Sequence, residues 1–165
     1  SMLTSPLFIF DLDDTLAHTT RDLKGDPKRL PNLKLLRGIR PILKCVQGYS
    51  ILLTAGNTVR QQEKIDHLKI AGLFKEIRIV ANREEKEQVL REMLAAADTP
   101  PERVVVVGDR IDHEIRYANQ LGCTTVRMQL PGAKFSDLEP ESGFDLPVHV
   151  VHDTMELAAV LEDLL

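Results

Sequence analysis

The chain has little of what marks secreted, membrane-embedded or nucleic-acid-binding proteins. Its 165 residues include only two cysteines, Cys45 and Cys123, far apart and without metal-ligand spacing. That excludes a disulfide framework and a zinc site, and both residues read as reduced core thiols of a cytoplasmic protein. No apolar run approaches the roughly eighteen residues of a membrane span. The N-terminus lacks the basic-then-apolar order of a secretion signal, and Ser1 ahead of Met2 reads as an added residue. Basic charge is not in excess: 21 Lys and Arg against 25 Asp and Glu give a net charge of −4. Because the two signs are interspersed, the chain offers no footprint for nucleic acid and no polybasic patch for a membrane surface. Internal repeats and low-complexity tracts are absent as well.

What is present is enough apolar residue, 43% of the chain, to build the core of one globular domain spanning 1–165. Short β-rich runs at Leu7–Phe10, 49–54, 77–81, 103–107 and Thr124–Met128 are near-continuously apolar or β-branched, as in parallel strands covered on both faces. A weaker run, VHVV, starts at Val148. Between the runs the apolar residues keep helical period, as in Val89, Leu90, Met93, Leu94 and Ala97, and in Leu157, Val160, Leu161 and Leu164. Asp153 and Glu156 stand at capping-box spacing ahead of the last helix. Strands alternating with helices imply βαβ units with right-handed crossovers and a mostly parallel sheet, an α/β fold. Two stretches, 19–32 and 129–147, break the alternation and read as loops.

The first strand runs straight into acid. LFIFDLDDTLA, 7–17, follows four apolar residues with three aspartates in four positions and then a threonine. Carboxylates so close repel one another and are costly to desolvate, so solvent or a cation must neutralise them. In an open α/β sheet ligands bind beyond the carboxyl ends of the strands, so polar residues just after strand runs are informative. The first strand ends in Asp11 and Asp13, the second in Thr54 with Ala55, Gly56 and Asn57, and the fourth in Gly108 and Asp109, while Lys86 opens a helix after the third. Acid, hydroxyl, amine and acid form a set suited to phosphate and metal.

DLDDT, ILLTAGN, a lysine about two dozen residues ahead of the last motif, and VVVVGDRIDHE resemble the four ordered motifs of the haloacid dehalogenase-like hydrolase superfamily, of the minimal-cap phosphatase type. The resemblance spans nearly the whole chain. It implies a three-layer Rossmann-like sheet with strand order 54123 and helices on both faces. It also implies a Mg²⁺-dependent phosphatase that hydrolyses a phosphate monoester through an aspartyl-phosphate. Asp11 is then the nucleophile and Asp13 the acid and base. Thr54, the Ala55 N–H and Lys86 hold the phosphoryl oxygens, while Asp11, the Asp13 carbonyl and Asp109 hold the metal.

Asp14 and Glu114 read as carboxylates complementing helix N-termini, and Asn57 as an N-cap. Arg83 is the fallback for Lys86. His18 and His113 lie near enough to touch substrate, whereas His67, His149 and His152 read as surface or structural. The last motif departs from the family pattern, since the usual places for its second acid, four and five residues beyond Asp109, hold His113 and Glu114 with Asp112 one step early, and Asp112 and Glu114 both stand as candidates. Neither gap that houses a cap domain in relatives is long enough for one, so only a small flap at 19–32 covers an open site. An open site suits a large phosphorylated substrate, cover from a neighbouring subunit, or poor selectivity among small ones. Two rivals carry different functions: a receiver-like signalling domain, whose acids lie on separate strands, and a catalytically weak interaction protein that keeps the fold.

Overall fold

The computed structural model describes residues 5–165; residues 1–4, with the Ser1 and Met2 pair, lie outside the described residues. In chain order the elements are β1 (Leu7–Phe10), α1 (Thr19–Leu23), α2 (Ile39–Cys45), β2 (Ser50–Ala55), α3 (Thr58–Leu68), β3 (Glu76–Val80), α4 (Arg83–Ala96), β4 (Val104–Gly108), α5 (Glu114–Gln120), β5 (Thr124–Met128), β6 (His149–Val151) and α6 (Thr154–Leu164).

The strands form one six-stranded sheet in the order β3-β2-β1-β4-β5-β6, and every pairing is parallel. Read from the other edge this is the expected 54123 order, with the weak VHVV candidate added as β6 beside β5. Alternate strand residues supply two cores. Phe8, Phe10, Leu52, Val105 and Val126 pack with Ile39, Leu43, Ile65 and Leu157 of α2, α3 and α6. On the opposite face Leu7, Ile9, Ile51, Leu53 and Val106 pack with Val89, Leu90 and Ala118 of α4 and α5. Burial on both faces is why these strands are written as continuous apolar runs.

Three asparagine or aspartate caps start helices just beyond strand ends. Asn57 accepts from the Arg60 N–H at 3.0 Å, Asn82 from Glu85 N–H at 2.9 Å and Asp153 from Glu156 N–H at 2.8 Å. These caps fix where α3 and α4 begin relative to the carboxyl edge of the sheet, and so where Gln61, Lys64 and Lys86 point. The Glu156 carboxylate returns to the His152 N–H at 3.3 Å instead of to the cap residue, one residue off the reciprocal box.

Two expectations are corrected. The segment 19–32 is not a loop: α1 is followed by a 3₁₀ turn at Pro27–Asn32, capped by Asp26 with Pro27 at its start. Asp22 ties the pair together, accepting from the Lys34 N–H at 2.9 Å through its carboxylate and from Arg29 Nε at 3.1 Å through its carbonyl. Cys45 is not a core thiol; it ends α2 exposed, whereas Cys123 is buried and burial pushes its thiol up to about 12. No large cap is inserted between β1 and α2 or between β2 and α4. Among the described residues no helix is long and apolar enough to cross a membrane.

Candidate active site

The β1–β4 register, Phe10 beside Val107, sets the residues that follow each strand next to one another. Asp11 continues the ladder through its N–H to the Val107 carbonyl at 2.9 Å, and Asp109 follows directly on β4. Glu114, the first residue of α5, turns its side chain back to the same point and accepts from the Asp109 N–H at 3.2 Å. Carboxylate oxygens of Asp11, Asp109 and Glu114 all lie within 4.8 Å of one another. From across the sheet edge Lys86 of α4 brings Nζ to 2.9 Å from Asp11 Oδ1 and 4.0 Å from Glu114 Oε2. A Cβ at Gly108 would stand 2.3 Å from Glu114 Cγ and Oε1, so only glycine there leaves room for this acid.

Electrostatics divides the cluster. Burial would raise the Asp11 carboxyl, but Lys86, by charge and hydrogen bond, carries it below the usual carboxylate range. Asp109 goes the other way: burial first, then Glu114 and Asp11, push it well above that range. Burial pushes Glu114 up to about 7 against the pull of Lys86. Lys86 itself is raised above its ordinary value, because Asp11 and Glu114 outweigh the cost of burying its ammonium. Three acids face one ammonium, and the two that burial raises, Asp109 and Glu114, would give up their protons to a divalent cation, which all three meet with hard oxygens. The donor set therefore fits Mg²⁺.

Asp13 faces away from this cluster. Its Oδ1 accepts from Thr19 Oγ1 at 2.7 Å and Lys64 Nζ at 2.9 Å, and its Oδ2 from Gln61 Nε2 at 3.1 Å. Gln61 Nε2 also donates to Thr54 Oγ1 at 2.7 Å, which leaves the threonine proton free to donate elsewhere. Asp11, Asp13, Ala55, Lys86 and Asp109 line one cavity of about 310 Å³, with Thr54 fully buried behind its wall.

The two candidates for the second acid lie in different surroundings. Asp112 is taken by Arg110 in a bidentate pair at 3.0 and 2.8 Å, whereas Glu114 joins the cluster. Reading Glu114 as a plain helix-end carboxylate is thus corrected. Asp14 does serve a helix start, accepting from the Thr20 N–H at 2.9 Å and from its hydroxyl. Arg83 does not substitute for Lys86; it donates to His113 Nε2 at 3.1 Å. Burial, then Arg110, lowers His113 to about 4, so the ring is neutral and accepts. His113 lines the cavity, whereas His18 opens on a different one beside Asp14. His67 Nε2 lies 2.8 Å from the Leu33 carbonyl, a structural contact.

Gln61, Lys64 and Phe135 escaped the sequence reading. Gln61 had a signal: it shares the buried face of α3 with Ile65 and Leu68, an amide on an otherwise apolar stripe. Phe135 had none, for it arrives from the irregular segment after β5 and lies under Arg110, whose guanidinium carbon is 3.7 Å from the ring centroid.

A family described as HAD-hydrolase-like matches residues 85–156. The chain is 32% identical over 146 residues to the glyceraldehyde 3-phosphate phosphatase of Methanopyrus kandleri, covering 86% of this chain and 58% of that protein. It is 29% identical over 120 residues to the protein of the same name from Pyrococcus furiosus, covering 70% and 49%. The chain therefore spans about half the length of these relatives. Among solved structures, a haloacid dehalogenase-like hydrolase from Xanthomonas campestris superposes with a TM-score of 0.69 at 17% identity, over 97% of this chain and 91% of that one. A HAD family hydrolase from Deinococcus radiodurans with bound phosphate and sodium gives 0.71 at 13% identity, over 97% and 96%. The sheet order, the acids gathered at its carboxyl edge and these relatives agree, and the chain is similar in fold and sequence to haloacid dehalogenase-like hydrolases.

Proposed function

We propose that the protein is a Mg²⁺-dependent phosphatase acting on a phosphate monoester through an aspartyl-phosphate. The observation that carries this is the Asp11 carboxylate, ion-paired with Lys86 at 2.9 Å and clustered with Asp109 and Glu114 on the wall of a cavity. An Asp11 oxygen attacks phosphorus while the bond to the leaving oxygen breaks, and Asp13 gives that oxygen its proton. Asp13 then takes a proton from water, whose oxygen attacks phosphorus and releases Asp11. Thr54 by its hydroxyl, Ala55 by its N–H and Lys86 by its ammonium hold the phosphoryl oxygens. Asp11, the Asp13 carbonyl and Asp109, joined by Glu114, would hold Mg²⁺, which when bound neutralises phosphoryl charge. The names of the archaeal relatives support a phosphate ester as substrate. The same reading makes 1–165 one catalytic domain of the cytoplasm.

Phosphate release from para-nitrophenyl phosphate, with Mg²⁺ and after chelation by EDTA, tests the reading. Turnover is expected only with metal, and Asp11→Asn is expected to abolish it while the protein stays folded. Metal-independent release, or an Asp11→Asn protein at the parent rate, would overturn the mechanism.

A further inference from the structure

A second cavity, of about 540 Å³, shares Asp13, Ala55 and Gly56 with the catalytic one and continues from it under α1 and the first turn of α3. Its floor is apolar, from Leu23, Pro27 and Leu30, and its walls carry four cations: Lys24, Arg60, Lys64 and Lys134. Lys64 is the least exposed of these and is held by Asp13. Lys24, Arg60 and Lys134 have no acidic partner among the described residues. Of the acids on the same walls, Asp13 is paired with Lys64, and Asp26, which accepts only from the neutral Lys28 N–H, and Glu63 stand against three cations without an acidic partner, a surplus of one positive charge.

Lys134 is not a stray surface lysine. The strap that bears it is fixed on both sides of the sheet edge. Arg127, buried within β5, donates to the Phe135 and Ser136 carbonyls at 3.1 Å each, and Gln129 Nε2 to the Ser136 carbonyl at 2.7 Å. The Lys134 N–H donates to Thr20 Oγ1 at 3.1 Å, which joins the strap to α1. Its ammonium stands 5.2 Å from the centroid of the Phe135 ring. A buried arginine spent on two strap carbonyls sets the position of Lys134 on the cavity that Arg60 also lines.

We propose that this second cavity is the leaving-group subsite and that it selects phosphate esters whose leaving group carries its own anion, a carboxylate or a second phosphate. The inference rests on the phosphatase reading. Asp13 is the wall between the two cavities, so a leaving oxygen within its reach directs the rest of the substrate past it toward Arg60 and Lys134. A neutral leaving group would leave those cations without a partner, and a cationic one would be repelled. The enclosing helix and strap thereby do for selectivity what a cap domain does in larger relatives, with no inserted domain.

The test compares kcat/KM for 3-phosphoglycerate with that for glyceraldehyde 3-phosphate and glycerol 3-phosphate, which differ at one end of a three-carbon chain, with fructose 1,6-bisphosphate as the second-phosphate arm. An anionic leaving group should be favoured by about 10- to 100-fold, the worth of one or two hydrogen bonds to a charged group. Lys134→Met and Arg60→Met should each cut that ratio by roughly tenfold, mainly through KM. Preference for only one of the two anionic esters would assign the subsite to carboxylate or to phosphate. A ratio near one for both, or variants that lower charged and uncharged esters alike, would overturn the proposal. Should no ester be hydrolysed, para-nitrophenyl phosphate included, the phosphatase reading itself fails. Calorimetry of the Asp11→Asn protein with the same esters then decides the subsite, equal affinities refuting it and tighter binding of the anionic esters supporting it.

Discussion

Gly108→Ala isolates one contact on which the acidic cluster depends. The substitution adds a single carbon whose nearest neighbours would be Glu114 Cγ and Oε1 at 2.3 Å and Cδ at 2.7 Å. Gly108 has no positive φ, so the backbone tolerates alanine and the whole effect is steric. Glu114 is 4% exposed and its one open side is the cavity it lines, so its carboxylate must leave the Asp109 N–H and swing into that space. Overpacking of this kind costs about 1–3 kcal/mol, and a buried N–H deprived of its acceptor about 1–3 kcal/mol more. A loss near 3 kcal/mol corresponds to a fall in Tm of roughly 6–12 °C for a chain of this size.

The decisive measurement is a double-mutant cycle by urea unfolding in EDTA, where no ion takes part. Glu114→Ala alone removes the acceptor but also one of three crowded acids, and should cost about 1–2 kcal/mol. In that background the added carbon at position 108 falls into the space that the glutamate vacates. Gly108→Ala should then cost less than about 0.5 kcal/mol, giving a coupling of about 2 kcal/mol, within the range of contacting residues. Additive costs, or a Gly108→Ala protein as stable as its parent, would show that Glu114 does not occupy the position described.

Asp13→Asn should lower turnover of alkyl phosphates by about 10²- to 10⁴-fold, and much less for nitrophenyl esters, whose leaving group needs no proton; equal loss for both would remove the acid role. Asp145 is fully buried and accepts from Arg116 Nε at 2.7 Å and Nη2 at 2.9 Å. The Arg116 hydrogen bonds hold its carboxyl below the ordinary 3.8, so the pair stabilises the fold above that pH and the contribution is lost as pH falls through the lowered value. Asp145→Asn should therefore cost about 2–3 kcal/mol at pH 7, measured by urea melts, and flatten the loss of stability as pH falls below the ordinary 3.8; an unchanged acid limb would refute the assignment.

How legible the site was depended on whether its residues stand next to strand ends. β1 and β5 match their apolar runs end to end. β2 is displaced by one residue because Gln47–Tyr49 closes a 3₁₀ turn that takes Tyr49 out of the strand. Asp11 and Asp109 follow strands directly and Thr54 is the last residue but one of β2, so the parallel order alone brings them to one edge. Lys86 needed one further fact, the Asn82 cap that starts α4 and sets the turn on which the lysine stands. Glu114 was misread for a physical reason: an acid in the first turn of a helix is favoured there by the dipole whatever else it does. Only the absence of a side chain at Gly108, in contact with Glu114 in space but six residues back in sequence, reveals that it folds inward.

The strap at 131–138 was not legible at all, and its case shows what local rules miss. Nothing in PGAKFSDL has a period or a cap, so propensity and pattern read a loop and stop. What orders it is Arg127, an arginine 7% exposed in the middle of a strand otherwise written in Val, Met and Thr. A buried guanidinium must find acceptors, and since β5 is paired on both sides its partners have to come from a segment outside the sheet. The carbonyls of Phe135 and Ser136 answer that requirement, and Phe135 and Lys134 reach the two cavities as a consequence. A charged residue placed in an apolar strand run thus predicts a returning chain segment even where that segment has no structure of its own to announce, and here that segment brings Phe135 and Lys134 to the walls of the two cavities.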